Sequence, residues 1–117
     1  MFIGAAILAT LLAPAFLAAG IPKVTGQAKM IAQADHLRVP YRVYRGIGVL
    51  EALGAVGVAV GLWSAWLGVS AGGGLALLMV GAVPAHLRAK DQRKAIAPAF
   101  VLGLLAVAYV VVRAATA

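Results

Sequence analysis

The sequence contains no cysteine, and only three of its 117 residues are acidic. The lack of cysteine excludes disulfide bonds, thiolate metal sites and dithiol redox chemistry. Charged residues of either sign make up 11% of the chain, hydrophobic residues make up 64%, and the mean hydropathy is +1.03. A soluble domain of this length needs more polar residues, because a small fold exposes a large share of its chain. The composition therefore predicts an integral membrane protein with a single transmembrane domain, 1–117.

Four apolar segments are each close to the ~20 residues that cross about 30 Å of hydrocarbon as a helix. They are predicted at about 2–21, 46–64, 70–87 and 95–112, and the third is the shortest. The first segment has no basic amino-terminal region, and its apolar run is longer than that of a typical signal peptide, which favours a retained helix. The expected fold class is all-α, an integral membrane four-helix bundle.

The basic residues predict the orientation of this bundle. Nine of the ten Lys and Arg residues lie in the connections 22–45 and 88–94, which four spans place on the same side. Basic loops face the cytoplasm under the positive-inside rule, so both termini are expected outside. Trp63 and Trp66 fall at the opposite boundary, where aromatic belts occur. Because loops facing an anionic leaflet account for the formal net charge of +7, no nucleic-acid partner is expected.

The first cytoplasmic connection contains a short amphipathic pattern, GQAKMIAQADHLRVP. One helical face collects five positions, which are Gln27, Met30, Ile31, Ala34 and Leu37. Pro40 ends the pattern, because proline cannot donate a helical hydrogen bond. A short interfacial helix under the bundle is therefore predicted. The YRVYR that follows is typical of an anchor at the level of the lipid headgroups.

Small residues dominate the second predicted span. Gly54, Gly57 and Gly61 form a stripe in which Gly57 and Gly61 are four residues apart. In lipid, apolar side chains gain little by touching one another, so close backbone approach is a main source of helix association. We expect these three glycines to lie where a neighbouring helix packs closely.

The second span also carries one carboxylate, Glu51, in the stretch RGIGVLEALGAVGVAVGL. It lies roughly 8 Å inside the apolar zone at 1.5 Å per residue, where a charge costs about 2–3 kcal/mol unless it is paired. Lys23, His86 and Arg88 come from the cytoplasmic ends of neighbouring spans and can reach it. No metal site is expected, because too few candidate ligands lie inside the bundle.

Two interpretations of Glu51 remain open. In the structural one, it accepts hydrogen bonds from Lys23, Arg88 or backbone amides and fixes the register of the helices. In the functional one, Glu51 and His86 line a pocket open to the inner leaflet and hold the polar head of a lipophilic ligand. Ionisable residues within a membrane span are functional by default, but a carboxylate near a helix end is less costly than one at the midplane.

Three short motifs carry a resemblance to a known family. They are K-x-T-G at Lys23, G-x-L-E ending at Glu51, and H-L-R starting at His86. Their order and spacing resemble the DoxX-like family of small four-helix membrane proteins over nearly the whole chain. The resemblance implies a four-helix bundle in a bacterial inner membrane. The family takes its name from the small membrane subunit of a thiosulfate:quinone oxidoreductase, and other relatives belong to membrane oxidoreductase assemblies or act as assembly factors.

The expected function is that of a small non-catalytic subunit of a larger membrane complex, with the quinone link implied by the resemblance. The candidate ligand site consists of Lys23, Glu51, His86 and Arg88. A quinone or a lipid is the candidate ligand, no covalently bound cofactor is expected, and the expected partners are the bilayer and other membrane subunits or a second copy. Two alternatives remain open. One is a stand-alone oxidoreductase in which His86 and Glu51 pass protons to a quinone or lipid, and the other is an assembly factor for a membrane protein.

Overall fold

A computed structural model describes residues 2–90 and 93–116, and side chains are described outside 93–95. Over these residues the chain forms five helices, namely α1 (Phe2–Thr25), α2 (Ala28–His36), α3 (Tyr41–Val60), α4 (Ala65–Arg88) and α5 (Arg93–Ala115). All of them except α2 are long and apolar enough to cross a membrane. The all-helical class and the four long apolar helices predicted from the sequence are therefore confirmed.

The four long helices form a ring. Helix α1 packs against α3, α3 against α4, α4 against α5, and α5 against α1, while the described residues make no close backbone contact across either diagonal. Successive long helices run in opposite directions, so Lys23, Tyr41 and Arg88 lie at one end of the bundle, called here the basic end. Trp63 and Trp66 lie at the other, the tryptophan end. The side of the membrane that each end faces stays a prediction.

The interior of the ring is mainly apolar, and the buried charged side chains among the described residues are Glu51 and Arg113. The largest fully buried side chains are Tyr109, Phe16, Leu12, Leu75, Glu51 and Val58. Large apolar side chains also cover the outside, where Leu77 is 73% exposed and Trp63 is 84% exposed. An apolar surface of this kind suits a bundle that is surrounded by lipid, since lipid requires no polar covering.

The helix ends differ from the predicted span ends. Helix α3 begins at Tyr41, five residues before the predicted 46, because Pro40 occupies the N-cap with an extended backbone and the helix starts directly after it. The YRVYR segment therefore forms the first turns of α3. Helix α1 continues to Thr25, beyond the predicted 21, and Gly26 with φ of 73° follows its end. Hydropathy marks the apolar run, whereas a helix continues until its hydrogen bonding is interrupted.

Helix α2 lies in the segment for which a short amphipathic helix was predicted. Ala34 and Leu37 are buried against Tyr44, so α2 packs on the basic end of the bundle. Its last turn closes with Arg38 at φ of 59° and a hydrogen bond from the Val39 N–H to the Ala34 carbonyl. Whether α2 lies at a membrane interface stays a prediction. The structure describes only part of the predicted second basic loop, 88–94, because residues 91 and 92 lie outside the described residues.

Candidate ligand site at the basic end

The centre of the candidate site is a buried ion pair between α1 and α3. The Lys23 ammonium donates to Oε1 of Glu51 at 2.5 Å, and the two side chains are 15% and 2% exposed, respectively. Breaking a buried pair by removing one partner leaves an uncompensated charge, so each of these groups depends on the other. The pair removes much of the cost that an isolated carboxylate would have at this depth.

The two charges meet because α1 and α3 approach closely just beside them. A Cβ atom on Gly20 would lie 2.6 Å from the carbonyl oxygen of Gly48, and a Cβ atom on Gly48 would lie 2.6 Å from Cβ of Lys23. Neither position can hold a larger residue without a shift of the backbone. Lys23 follows Gly20 by three residues and Glu51 follows Gly48 by three residues, so each charge lies about one turn from its glycine on the same face.

Two tyrosines at the start of α3 hold Lys23 in place. The Tyr44 ring is buried, and its centroid lies 5.1 Å from the Lys23 nitrogen, a distance typical of a cation–π contact. The Tyr41 hydroxyl donates to the Lys23 carbonyl at 2.5 Å. The YRVYR pattern predicts a headgroup anchor for these tyrosines and does not indicate these contacts. The spacing offered a signal, because Tyr44 precedes Glu51 by seven residues and therefore shares its helical face.

A cavity of about 310 Å³ lies beside the ion pair. Its polar wall contains Lys23, Tyr44, Glu51 and His86, and the remainder of its lining is apolar, including Leu37 at the end of α2. Pockets for small molecules commonly have volumes of roughly 300–1,000 Å³ and mainly apolar walls with a few polar groups. The cavity therefore has the size and chemistry for a compact organic headgroup.

The four predicted ligand-binding residues take different positions around this cavity. Lys23, Glu51 and His86 line it, whereas Arg88 does not. The Arg88 guanidinium instead donates to the Leu37 carbonyl at 2.6 Å and joins the end of α4 to the end of α2. Arg88 therefore holds Leu37, which lines the cavity, without lining the cavity itself.

The three predicted packing glycines all face α4. A Cβ atom on Gly54 would lie 2.5 Å from the Leu75 side chain, and one on Gly57 would lie 2.5 Å from Cβ of Ala71. A Cβ atom on Gly61 would lie 2.3 Å from Cα of Gly68. The distances are too short for real Cβ atoms, so these glycines set the spacing between α3 and α4.

Two further polar residues lie in the interior at the tryptophan end, and neither position was predicted from the sequence. Arg113 is buried and donates from Nε to the Gly61 carbonyl at 2.8 Å, and the buried Tyr109 hydroxyl donates to the Val58 carbonyl at 2.7 Å. Both side chains bond carbonyl groups at the end of α3, where the last carbonyl groups of a helix lack N–H partners within the helix. A signal was present, since Tyr109 and Arg113 are four residues apart and so share a helical face. They stabilise the bundle far from the cavity.

Four long apolar helices in a ring, with a buried ion pair at one end, define a small multi-pass helical membrane protein. The sequence model of the DoxX-like family matches residues 7–109, and the chain belongs to that family. A curated relative, the uncharacterised protein YdgD of Bacillus subtilis strain 168, is 33% identical over 76 residues, which are 65% of this chain and 67% of that protein. No solved structure matches the chain.

Proposed function

We propose that the cavity at the basic end binds the polar head of a lipophilic ligand, and that the protein does so as an accessory subunit of a larger membrane complex. The observation that supports the proposal is the 310 Å³ cavity whose wall contains the buried Lys23–Glu51 pair. A pair that served only to hold α1 against α3 could be packed without a cavity beside it. Here the pair borders space of the size that a headgroup needs.

The ligand class proposed is a quinone. The family resemblance points to quinone-linked assemblies, and the cavity offers groups that can bond quinone oxygens, namely the Tyr44 hydroxyl and the Lys23 ammonium. The proposed role is binding rather than turnover, because binding requires only these groups and their geometry. A stand-alone oxidoreductase requires in addition that the isolated chain turns over quinone.

Filling the cavity tests the ligand site. Gly81 lines the cavity, and a Cβ atom there would meet nothing within 4 Å, so Gly81→Leu places a side chain in the cavity without a clash at Cβ. Gly73 on the same helix is equally open but does not line the cavity, which makes Gly73→Leu the matched control. We expect Gly81→Leu to weaken binding of a decyl-substituted dimethoxymethylbenzoquinone at least tenfold, measured by equilibrium dialysis in mild detergent, and Gly73→Leu to leave it unchanged.

Equal affinity in Gly81→Leu and the unmodified protein would overturn the ligand site. A second variant, Glu51→Gln, tests the ion pair, because it keeps the shape of the side chain but removes its charge. If Glu51→Gln changes neither quinone binding nor assembly of the complex, the proposed role of this site is wrong.

Purification in mild detergent tests the subunit role. A partner that remains bound in fixed stoichiometry supports a subunit, and one that is present only during assembly of another membrane protein supports an assembly factor instead. Turnover of added quinone by the isolated chain would replace both with a stand-alone oxidoreductase. Each result selects one of the three functions.

A further inference from the structure

A groove on the outside of the bundle leads away from the cavity. It lies between α3 and α4, has a volume of about 470 Å³, and is lined almost entirely by apolar residues. Leu77 and Leu78 line both the cavity and the groove, so the two spaces adjoin at these residues. Beyond them the lining continues towards the tryptophan end as far as Leu67.

We propose that the ligand is a single-chain amphiphile with an uncharged head, and that its chain leaves the cavity along the groove between α3 and α4. This inference rests on the proposed function, since it requires that the head occupies the cavity. It adds the number of chains on the ligand and the path of its chain.

The length of the path fits an apolar chain that extends across a membrane. From Ala85 in the cavity lining to Leu67 in the groove lining, α4 advances by 18 residues. At 1.5 Å per residue this distance is about 27 Å, close to the ~30 Å thickness of the hydrocarbon layer. A chain that begins at the basic end therefore remains at apolar depth along the whole groove.

The shape of the groove depends on missing side chains. Gly54 and Gly57 on α3 and Gly74 on α4 all line it, and none of them covers the space between the helices. Open space remains around Gly74, since a Cβ atom there would meet nothing within 4 Å. The groove is thus a narrow depression between two helices, which suits one chain better than the two chains of a phospholipid.

The charges around the cavity favour an uncharged head. Among the described lining residues, the charges of Lys23 and Glu51 offset each other in the ion pair, and the other polar side chains are Tyr44 and His86. The neighbouring Arg88 guanidinium donates to the Leu37 carbonyl and does not line the cavity. A phosphate head would need cationic groups directed at it, whereas a neutral head needs only hydrogen-bonding groups.

The groove affects ligand binding through its shape rather than by attracting the chain. A chain gains little free energy by moving from lipid into an apolar groove, because lipid is equally apolar. A blocked groove nevertheless hinders a tailed ligand from seating its head, since the chain then loses its path between α3 and α4. The effect of a block should therefore depend on whether the ligand carries a chain.

Substitution of Gly74 by leucine tests this dependence. Gly74→Leu puts a side chain into the groove, and Gly73→Leu, at the adjacent open position outside the groove, is its control. The two probes are the decyl-substituted dimethoxymethylbenzoquinone and the same quinone without a chain, with the weak binding of the latter measured by saturation-transfer NMR. We expect Gly74→Leu to weaken the decyl compound about tenfold or more and to leave the tailless compound unchanged. Ser70→Leu, one turn further along the groove lining, should weaken the decyl compound less, because a ten-carbon chain reaches only the near part of the groove.

The outcomes separate this inference from the proposed function. If Gly81→Leu abolishes binding of both probes but Gly74→Leu and Ser70→Leu affect neither, the head site stands and the chain path is wrong. If the groove variants weaken both probes equally, the chain path is also wrong. If the unmodified protein binds neither probe, the proposed function itself fails. Displacement of the decyl compound by phosphatidylglycerol in mixed micelles would overturn the uncharged, single-chain ligand.

Discussion

The two members of the buried ion pair are not equivalent, because they differ in their access to water. Lys23 lies in the last turn of α1 at the basic end, and its long side chain can extend towards the headgroup region if its partner is lost. Glu51 lies deeper and has a short side chain that is 2% exposed. A carboxylate that loses its partner here therefore has no comparable route to water.

We predict that this asymmetry appears in the free energy of unfolding. Lys23→Met, which leaves the carboxylate buried without its partner, should cost about 3 kcal/mol, a value at the lower end of those for broken buried pairs. Glu51→Gln should cost less, because Lys23 can reorient. The double variant should recover most of the loss, which a double-mutant cycle in mild detergent would measure.

Lys29→Met provides the matched control for the loss of a lysine, since Lys29 is exposed on α2. Its effect should lie within about 0.5 kcal/mol of zero, as is usual for surface positions. Additive costs for the two single variants would contradict a direct interaction between the charges. Equal costs would contradict the difference in their access to water.

The contact between α1 and α3 determines the position of the pair, and it depends on backbone proximity at Gly20 and Gly48. The first atom of any side chain at Gly20 would overlap the carbonyl oxygen of Gly48, so the two helices would have to separate. Separation of these helices also moves Lys23 away from Glu51. Helix packing and site geometry are therefore coupled through two residues without side chains.

We predict opposite effects of alanine at two glycines. Gly46→Ala, at an exposed position where a Cβ atom meets nothing within 4 Å, should stabilise the protein by up to about 1 kcal/mol, because alanine favours helix. Gly20→Ala has the same helix propensity but should destabilise by about 1–3 kcal/mol, as overpacked sites do. Thermal unfolding in detergent measures both, and a stabilising Gly20→Ala would contradict the close approach.

The long helices could be predicted from the sequence, because lipid imposes a simple rule on apolar segments. The positions of individual side chains could not, because each depends on a single tertiary contact. Long apolar runs must be helical in a bilayer, so the four long helices could be predicted. Equal depth likewise suggested that Lys23 and Glu51 could meet. The roles of Tyr44 and Arg113 could not be obtained in this way, because a tyrosine or arginine near a span end can face either the headgroups or the interior. The choice depends on the angle at which the neighbouring helices pack.

The ends of the helices could not be predicted from hydropathy for a related reason. The Tyr41 hydroxyl supports the last turn of α1 from α3, and Pro40 sets the start of α3, so both ends depend on residues outside the apolar runs. The ligand role of Lys23, Glu51 and His86 stays a prediction.

At the scale of the whole molecule, the charges are distributed unequally between the two ends. The basic end holds the cations of the two connections, whereas the turn from α3 to α4 at the tryptophan end carries no charged side chain. Arg113 lies near the tryptophan end, but its side chain is buried and donates to the carbonyl of Gly61, directly after α3. Since the surface charge is concentrated at the basic end, the positive-inside rule predicts that this end faces the cytoplasm.

The absence of cysteine allows a direct test of this orientation, because any single cysteine introduced is the only thiol in the chain. Gln27→Cys places a thiol at an exposed position of the basic end, and Ser64→Cys places one at an exposed position of the tryptophan end. In intact cells, a membrane-impermeant maleimide should label Ser64→Cys and should label Gln27→Cys only after the membrane is permeabilised. Thr116→Cys, near the other helix end on the tryptophan side, should follow Ser64→Cys. Labelling of Gln27→Cys in intact cells, with Ser64→Cys protected until permeabilisation, would reverse the orientation and would place the candidate ligand site on the outer side of the membrane.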